Sequence, residues 1–438
     1  MDYAQWQYFQ VSLSSALAIY VFLTVRRRQI GIIQAPYVWV VIGYGIVSPL
    51  SNLIRWSTND FVSLNTIAAS DYDQASLVWC ASLILTVGVY VWRLESEKRV
   101  STISNERLAI PNRANSYTIG LIALTVLYLL NPVRGNDFGT LEPRSMNDLS
   151  VGGLLVGAIL FNVIATFAAI LLRYSTWSGL LATSAVAWAY SQSGSKGIVA
   201  VYLLYMVVNI LRQPRQGLWR HLAKPLALVV LLSIVIALPA AVERRSGETV
   251  SLAAALQAAG GRFTQQDVFS VLWAFPDWRQ SFARTYVEGN LLGFVPGVLF
   301  PDKPFNPAYQ ITNLFFGGAG PISAASPSLF GALLIVFQDW LYWPILLLAT
   351  SLICKMDWLL CRSQRGEKSR FDYEWLYISS LVALFETSFV VASYQLIITF
   401  AWWYLLTRGS RIHEVITQGA NSQMAKPLQR SGVSEAQG

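Results

Sequence analysis

Apolar segments recur along most of this 438-residue chain, and they limit its possible folds more than any other feature. A helix needs about 20 predominantly apolar residues to cross the hydrocarbon core of a bilayer. Backbone polar groups in lipid must be satisfied within the spanning segment, which a helix achieves. The sequence therefore predicts an all-α, polytopic bundle of about eleven membrane helices. These predicted spans lie near 9–25, 34–54, 75–92, 115–131, 150–172, 177–193, 196–211, 225–242, 341–360, 375–388 and 390–407.

The composition also indicates a membrane environment. Only 13% of the residues are charged, 54% are hydrophobic, and the mean hydropathy is +0.45. Soluble domains carry about 25% charged residues, so lipid is expected to cover much of this surface. The 16 Trp and 20 Tyr residues agree with this, because their amphipathic rings favour the headgroup region.

The net charge of +8 comes from short basic clusters between the apolar segments. That distribution is typical of orientation signals, so no nucleic-acid partner is expected. If the N-terminus is outside the cytoplasm, about two thirds of the 32 Lys and Arg residues fall in cytoplasmic segments, as the positive-inside rule requires. We therefore expect a multi-pass protein with its N-terminus outside and its C-terminus in the cytoplasm.

The predicted spans divide the chain into four parts. Residues 1–242 hold the first eight helices, 243–340 form one large extracytoplasmic loop, 341–407 hold three more helices, and 408–438 form a polar cytoplasmic tail that is predicted to be disordered. Unstructured loops rarely exceed ~15 residues, so this loop is expected to be folded and functional. Its residues 264–289 are predicted to form an amphipathic helix at the membrane interface.

Two short motifs could carry chemistry. The turn Gly194-Ser195-Lys196-Gly197 places a lysine on the outer face, although a plain hairpin with a snorkelling lysine explains it equally well. In the second motif, three prolines between residues 296 and 304 hold Asp302 and Lys303 on a rigid turn. The alternative there is a structural loop with a solvated ion pair.

Arginine is enriched in the long loop, on a face where cations are otherwise depleted. Its planar guanidinium binds phosphate oxygens in a bidentate manner, whereas lysine acts as a point charge. About half of these arginines are expected to be structural, with side chains that snorkel from an interfacial helix. The candidates are Arg244, Arg245, Arg262, Arg279 and Arg284.

Several carboxylates could act as a base. Asp339 and Glu386 stand out because apolar sequence surrounds them, although a helix-end acid that reaches the headgroups is an equal alternative. No Cys or His spacing fits a metal site, so neither metal nor cofactor is expected. The full set of acids is Glu248, Asp267, Asp277, Glu288, Asp302, Asp339 and Glu386.

These motifs resemble those of the O-antigen and exopolysaccharide polymerases, which join lipid-linked oligosaccharide repeat units in bacterial envelopes. Gly297 and Lys196 stand where related sequences often carry arginine. The resemblance rests on the Gly-Ser-Lys-Gly turn at 194–197, Gly-Arg at 261–262, the proline-rich run at 295–304 and Ser-Pro-Ser-Leu-Phe-Gly at 326–331.

The resemblance implies a metal-independent glycosyltransferase of the bacterial inner membrane. Its substrate would be an undecaprenyl-pyrophosphate-linked oligosaccharide, and its partners would be the bilayer, a chain-length regulator and a flippase. Arg262 and Lys196 would stabilise the leaving pyrophosphate. Asp302 would act as a base or position Lys303, with Glu248 as the alternative base. The predicted pyrophosphate-binding residues are Arg244, Arg245, Arg279 and Arg284.

Three other functions stay open at this point. A flippase or other glycolipid transporter would show repeated halves and charges within many helices, and neither is evident here. The related O-antigen ligases are associated with an extracytoplasmic histidine, whereas His221 and His413 are predicted to be cytoplasmic. A structural scaffold would tolerate alanine at every loop arginine.

Overall fold

The computed structural model describes residues 2–28, 35–57, 67–96, 251, 265–292, 311, 327–337, 339–358, 374–386 and 396–397. Every regular element in this part of the chain is helical, which confirms the predicted all-α fold for these residues. The helices are α1 (Tyr3–Arg27), α2 (Pro36–Ser57), α3 (Ala69–Ser96), α4 (Gln265–Ala274), α5 (Pro276–Leu292), α6 (Ser328–Val336), α7 (Tyr342–Asp357) and α8 (Glu374–Glu386). A 3₁₀ turn, Asp339–Leu341, precedes α7.

Three of these helices are long and apolar enough to cross a membrane: α1, α2 over Pro36–Ile54, and α3. They coincide with the first three predicted spans and mark the chain as a membrane protein. Helices α7 and α8 fall on the predicted spans at 341–360 and 375–388. The spans predicted between residues 115 and 242 lie outside the described residues, as does most of 390–407.

Local sequence signals explain the ends of α1. The Asp2 carboxylate accepts a hydrogen bond from the Gln5 N–H at 2.7 Å, and the Asp2 N–H donates to Gln5 Oε1 at 3.0 Å. This capping box satisfies backbone donors that have no partner within the helix. At the other end, Arg26 and Arg27 favour the negative end of the helix dipole. Large apolar side chains are exposed between these ends, as expected for a lipid-facing helix: Tyr8, Phe9, Ile19, Tyr20, Phe22 and Leu23.

Helix α2 contains Pro49 within its span, and the adjacent helix compensates for it. Proline has no N–H, so the carbonyl of Gly45, four residues earlier, loses its usual helical donor. Ser14 Oγ on α1 donates a hydrogen bond to that carbonyl at 2.8 Å. A glycine suits position 45, because a Cβ there would lie 2.7 Å from Ser14 Oγ and 3.2 Å from Leu83 Cδ1.

The double substitution Ser14→Ala and Pro49→Ala tests this compensation. Ser14→Ala alone should lower the free energy of unfolding by about 1–3 kcal/mol, because a buried carbonyl is left without a donor. With Pro49→Ala present, the same change should cost much less, since the introduced alanine restores the missing backbone N–H. Unfolding of the four proteins in detergent gives the coupling energy, and simple additivity would contradict the account.

A central aromatic cluster joins early and late parts of the chain. The indole of Trp79 on α3 contacts the rings of Phe269 on α4 and Phe330 on α6, with centroid distances of 5.4 and 5.2 Å. Phe330 also packs edge-on against Phe385 of α8 at 5.9 Å, and Phe385 stacks on Tyr44 of α2 at 5.0 Å. Large aromatic rings bury much apolar area, so this cluster holds α4, α6 and α8 against the spanning helices.

The segment predicted as one amphipathic helix over 264–289 is helical, but the helix is not continuous. The segment forms two helices separated at Phe275, because Pro276 lacks the N–H that would continue α4. Residues 265–272 of α4 are all buried, polar side chains included. An amphipathic helix at the interface would turn its polar side chains toward water or headgroups. In the structure, the polar side chains of α4 pack against polar side chains of other helices instead.

Candidate functional site

Polar side chains from four helices meet where α4 begins. The Asn52 amide nitrogen donates to Gln266 Oε1 at 3.1 Å and to Gln7 Oε1 at 3.4 Å. The amide nitrogens of Gln7 and Gln266 both donate to the hydroxyl of Tyr72, the latter at 3.2 Å. All four side chains are buried. We call Gln7, Asn52, Tyr72 and Gln266 the amide cluster.

The same region positions the first turn of α4. Ser48 Oγ on α2 accepts a hydrogen bond from the Gln266 N–H at 3.1 Å, which satisfies a donor left over at the helix start. Two carboxylates border the cluster. Asp267 accepts from the Tyr3 hydroxyl at 3.5 Å, and Asp73 accepts from the indole N–H of Trp6.

Next to Gln7 on α1 lies a second buried amide, which has no hydrogen-bond partner among the described residues. Gln10 is 0% exposed, and among the described residues neither its amide nitrogen nor its amide oxygen is hydrogen-bonded. It lies on α1 between Gln7 and Ser14, within a turn of each, so it shares the face that packs on α2. Ser51 Oγ, Asn52 Oδ1 and Gln265 Oε1 likewise have no partner in the described part of the chain. Native proteins satisfy nearly all buried polar groups, so this is a place where a polar ligand would be stabilised.

A second buried polar site is centred on Asp357, the last residue of α7. Its carboxylate accepts hydrogen bonds from the Tyr90 hydroxyl at 2.8 Å, the Tyr37 N–H at 3.3 Å and the Tyr377 hydroxyl. These donors belong to α3, α2 and α8, so one side chain joins four helices. Sequence reasoning missed Asp357 as a candidate acid, although it lies inside the predicted span at 341–360.

The structure describes two of the predicted arginines and brings neither to the amide cluster. Arg279 on α5 is buried, and its Nη1 donates to the Leu272 carbonyl near the end of α4 at 3.5 Å. Arg284 is exposed and forms an ion pair with Glu288 at 2.7 Å, one turn along α5. That pairing raises the pKa of Arg284.

The other predicted site residues stay predictions. Asp339 lies in the 3₁₀ turn and Glu386 ends α8, so each acid is at a helix end. Within the described residues, no group of Cys, His, Asp and Glu could hold a metal ion. The predicted site residues that lie outside the described parts of the chain are Arg244, Arg245, Glu248, Arg262, Lys196, Asp302 and Lys303.

The Ser-Pro-Ser-Leu-Phe-Gly motif has a packing role that its sequence did not reveal. Ser328, the first residue of α6, has a φ of 60°, which is strained for a residue with a Cβ. A Cβ on Gly331 would lie 3.0 Å from Pro327 Cβ and 3.2 Å from Leu272 Cδ1. The small residue therefore lets α6 approach the end of α4.

Comparisons with protein family models, curated proteins and solved structures gave no significant match to this chain.

Proposed function

We propose that this protein is a membrane glycosyltransferase that polymerises oligosaccharide repeat units carried on undecaprenyl pyrophosphate. The observation that supports it best is the insertion of α4 among α1, α2 and α3. A helix from the segment with the polymerase-like motifs thereby shares a buried, neutral polar site with three spanning helices. Such a site can hold sugar hydroxyls next to a lipid-borne substrate.

The proposed reaction needs an acceptor hydroxyl, a base and a stabilised leaving group. The terminal sugar hydroxyl of one lipid-linked repeat attacks the anomeric carbon of the other glycan. A glycosidic C–O bond forms, the C–O bond to the lipid pyrophosphate breaks, and the hydroxyl proton passes to Asp302 or Glu248. Arg262 and Lys196 stabilise the charge that develops on the pyrophosphate, and Arg244, Arg245 and Arg284 add positive charge near it.

In this proposal the protein lies in the bacterial inner membrane with about eleven spans, the N-terminus outside and residues 243–340 on the outer face. Arg279 then has a positioning role and does not contact the substrate. Because it caps α4 at Leu272, it holds the helix that completes the amide cluster.

A glycolipid flippase is the second candidate, and the amide cluster itself favours it. Polar side chains buried within spanning helices mark transport paths as well as binding sites. The lipid-linked species that accumulates in a deletion strain separates the two functions. Single repeat units on the outer face indicate a polymerase, whereas units held on the cytoplasmic face indicate a flippase.

Arg262→Ala and Lys196→Ala should each abolish long glycan in a complemented deletion strain. Loss of one preorganised charge donor typically slows such a step about 10²–10³-fold, which leaves mainly single repeat units on a glycan gel. Arg28→Ala is the control, because Arg28 contacts the Glu95 carbonyl at the far end of α1 and should leave chain length unchanged. Normal glycan length in both test variants at normal protein levels would refute the assigned roles.

A further inference from the structure

We infer that Gln10 and the amide cluster form a binding site for an uncharged, hydroxyl-rich ligand, which is the chemistry of a sugar. Its identity as the acceptor sugar of a polymerase rests on the function proposed above. The binding site itself does not, because it follows from the donors, acceptors and charges at this place.

The first support is the unused hydrogen-bonding capacity around Gln10. Burying an amide without partners is unfavourable, yet Gln10 is fully buried and its amide group makes no hydrogen bond to any described residue. Asn52 Oδ1 and Ser51 Oγ add two unused acceptors on the facing helix α2. A sugar hydroxyl both donates and accepts, so it matches a primary amide that offers one group of each kind.

The second support is the local charge. The cluster consists of three amides and a phenol, and the two acidic side chains at its border, Asp73 and Asp267, already accept hydrogen bonds from Trp6 and Tyr3. Carboxylates repel phosphate, and phosphate sites normally use arginine or lysine. The site therefore disfavours an anionic ligand, and pyrophosphate is expected to bind elsewhere.

The third support is an aromatic border. The rings of Tyr3 and Tyr72 lie 5.1 Å apart, and the buried indole of Trp6 donates to Asp73, which follows Tyr72 on α3. Pockets for small ligands combine such apolar walls with a few polar groups that fix orientation. The Trp6 indole next to the cluster also provides a spectroscopic reporter.

The test is glycoside binding to the purified full-length protein in detergent. The probes are a panel of neutral methyl glycosides, with inorganic pyrophosphate as the anionic comparison, observed by saturation-transfer NMR and Trp fluorescence. We expect at least one glycoside to bind and pyrophosphate not to compete with it. Gln10→Leu should weaken that binding about 10- to 100-fold.

The same variant distinguishes a ligand-binding role of Gln10 from a purely structural one. Leucine removes a buried polar group that has no partner among the described residues, so Gln10→Leu should raise the melting temperature while it lowers binding. Thr86→Val is the matched control. Thr86 is also buried, its hydroxyl has no partner in the described part of the chain, and it lies about 20 Å along α3 from Tyr72. It should leave glycoside binding unchanged.

Three results would overturn the inference: no binding of any glycoside to the unaltered protein, unchanged binding in Gln10→Leu, or competition by pyrophosphate. If Gln10→Leu reduces the folded yield, Gln10→Met keeps the side-chain length and is judged by the same criteria. Glycoside binding with normal glycan length in Arg262→Ala and Lys196→Ala would refute those catalytic roles and leave this site intact. Loss of long glycan in those two variants without any glycoside binding would refute this site and support the catalytic roles.

Discussion

Asp357→Ala should lower the free energy of unfolding by about 3–5 kcal/mol, since each stranded buried donor costs about 1–3 kcal/mol. The substitution removes the acceptor for the Tyr90 hydroxyl, the Tyr377 hydroxyl and the Tyr37 N–H at once. Because these donors come from three helices, we expect α8 and α7 to loosen from α2 and α3. Few single substitutions have so large an effect.

Thermal unfolding of the detergent-purified protein, followed by size-exclusion chromatography, measures this effect. Asp357→Asn is the matched control, because its amide oxygen still accepts a hydrogen bond. This variant should retain more than half of the stability that Asp357→Ala loses. An alanine variant as stable as the parent would contradict the buried, four-helix role of Asp357.

Trp79→Ala should be similarly destabilising, at about 3–5 kcal/mol for removal of a fully buried indole. Trp79 is 0% exposed and contacts both Phe269 and Phe330. The cavity would therefore detach α4 and α6, two of the helices from residues 243–340. Loosening of α4 also separates Gln266 from its partners in the amide cluster.

Trp92→Ala on the same helix is the control, because Trp92 is 65% exposed on the apolar surface. It should change the unfolding free energy by less than about 1 kcal/mol. Equal effects of the two substitutions would mean that α3 does not pack against α4 and α6 as described.

The sequence was sufficient to predict α1, α2 and α3, because lipid imposes a simple length and hydropathy requirement on a spanning helix. The helical character of α4 was predicted within 264–289, but its burial was not. The segment was predicted to lie at the membrane interface, whereas the structure buries Gln265, Gln266 and Asp267. Periodicity reports which residues share a face, but not whether that face meets water or the polar side chains of another helix.

The candidate site was hidden for a related reason. Gln7 and Asn52 lie in or beside apolar spans, where isolated amides carry little signal, and Gln266 follows more than two hundred residues later. Only the tertiary fold shows that they meet. The loop arginines, by contrast, were conspicuous, yet Arg279 proves to cap a helix and Arg284 to form an exposed ion pair.

Cysteine cross-linking between α2 and α4 tests the central claim. The claim is that α4, from residues 243–340, completes a polar site inside the helix bundle. Asn52→Cys and Gln266→Cys are introduced after the native Cys80, Cys354 and Cys361 are replaced by serine. Because the Asn52 amide nitrogen lies 3.1 Å from Gln266 Oε1, the two shorter cysteine side chains should lie within reach of a short bis-maleimide, which should join them in high yield. The control pair, Asn52→Cys with a cysteine in place of the exposed Leu348 on α7, should give no cross-link. No cross-link between positions 52 and 266 in a folded, membrane-inserted protein would contradict the account.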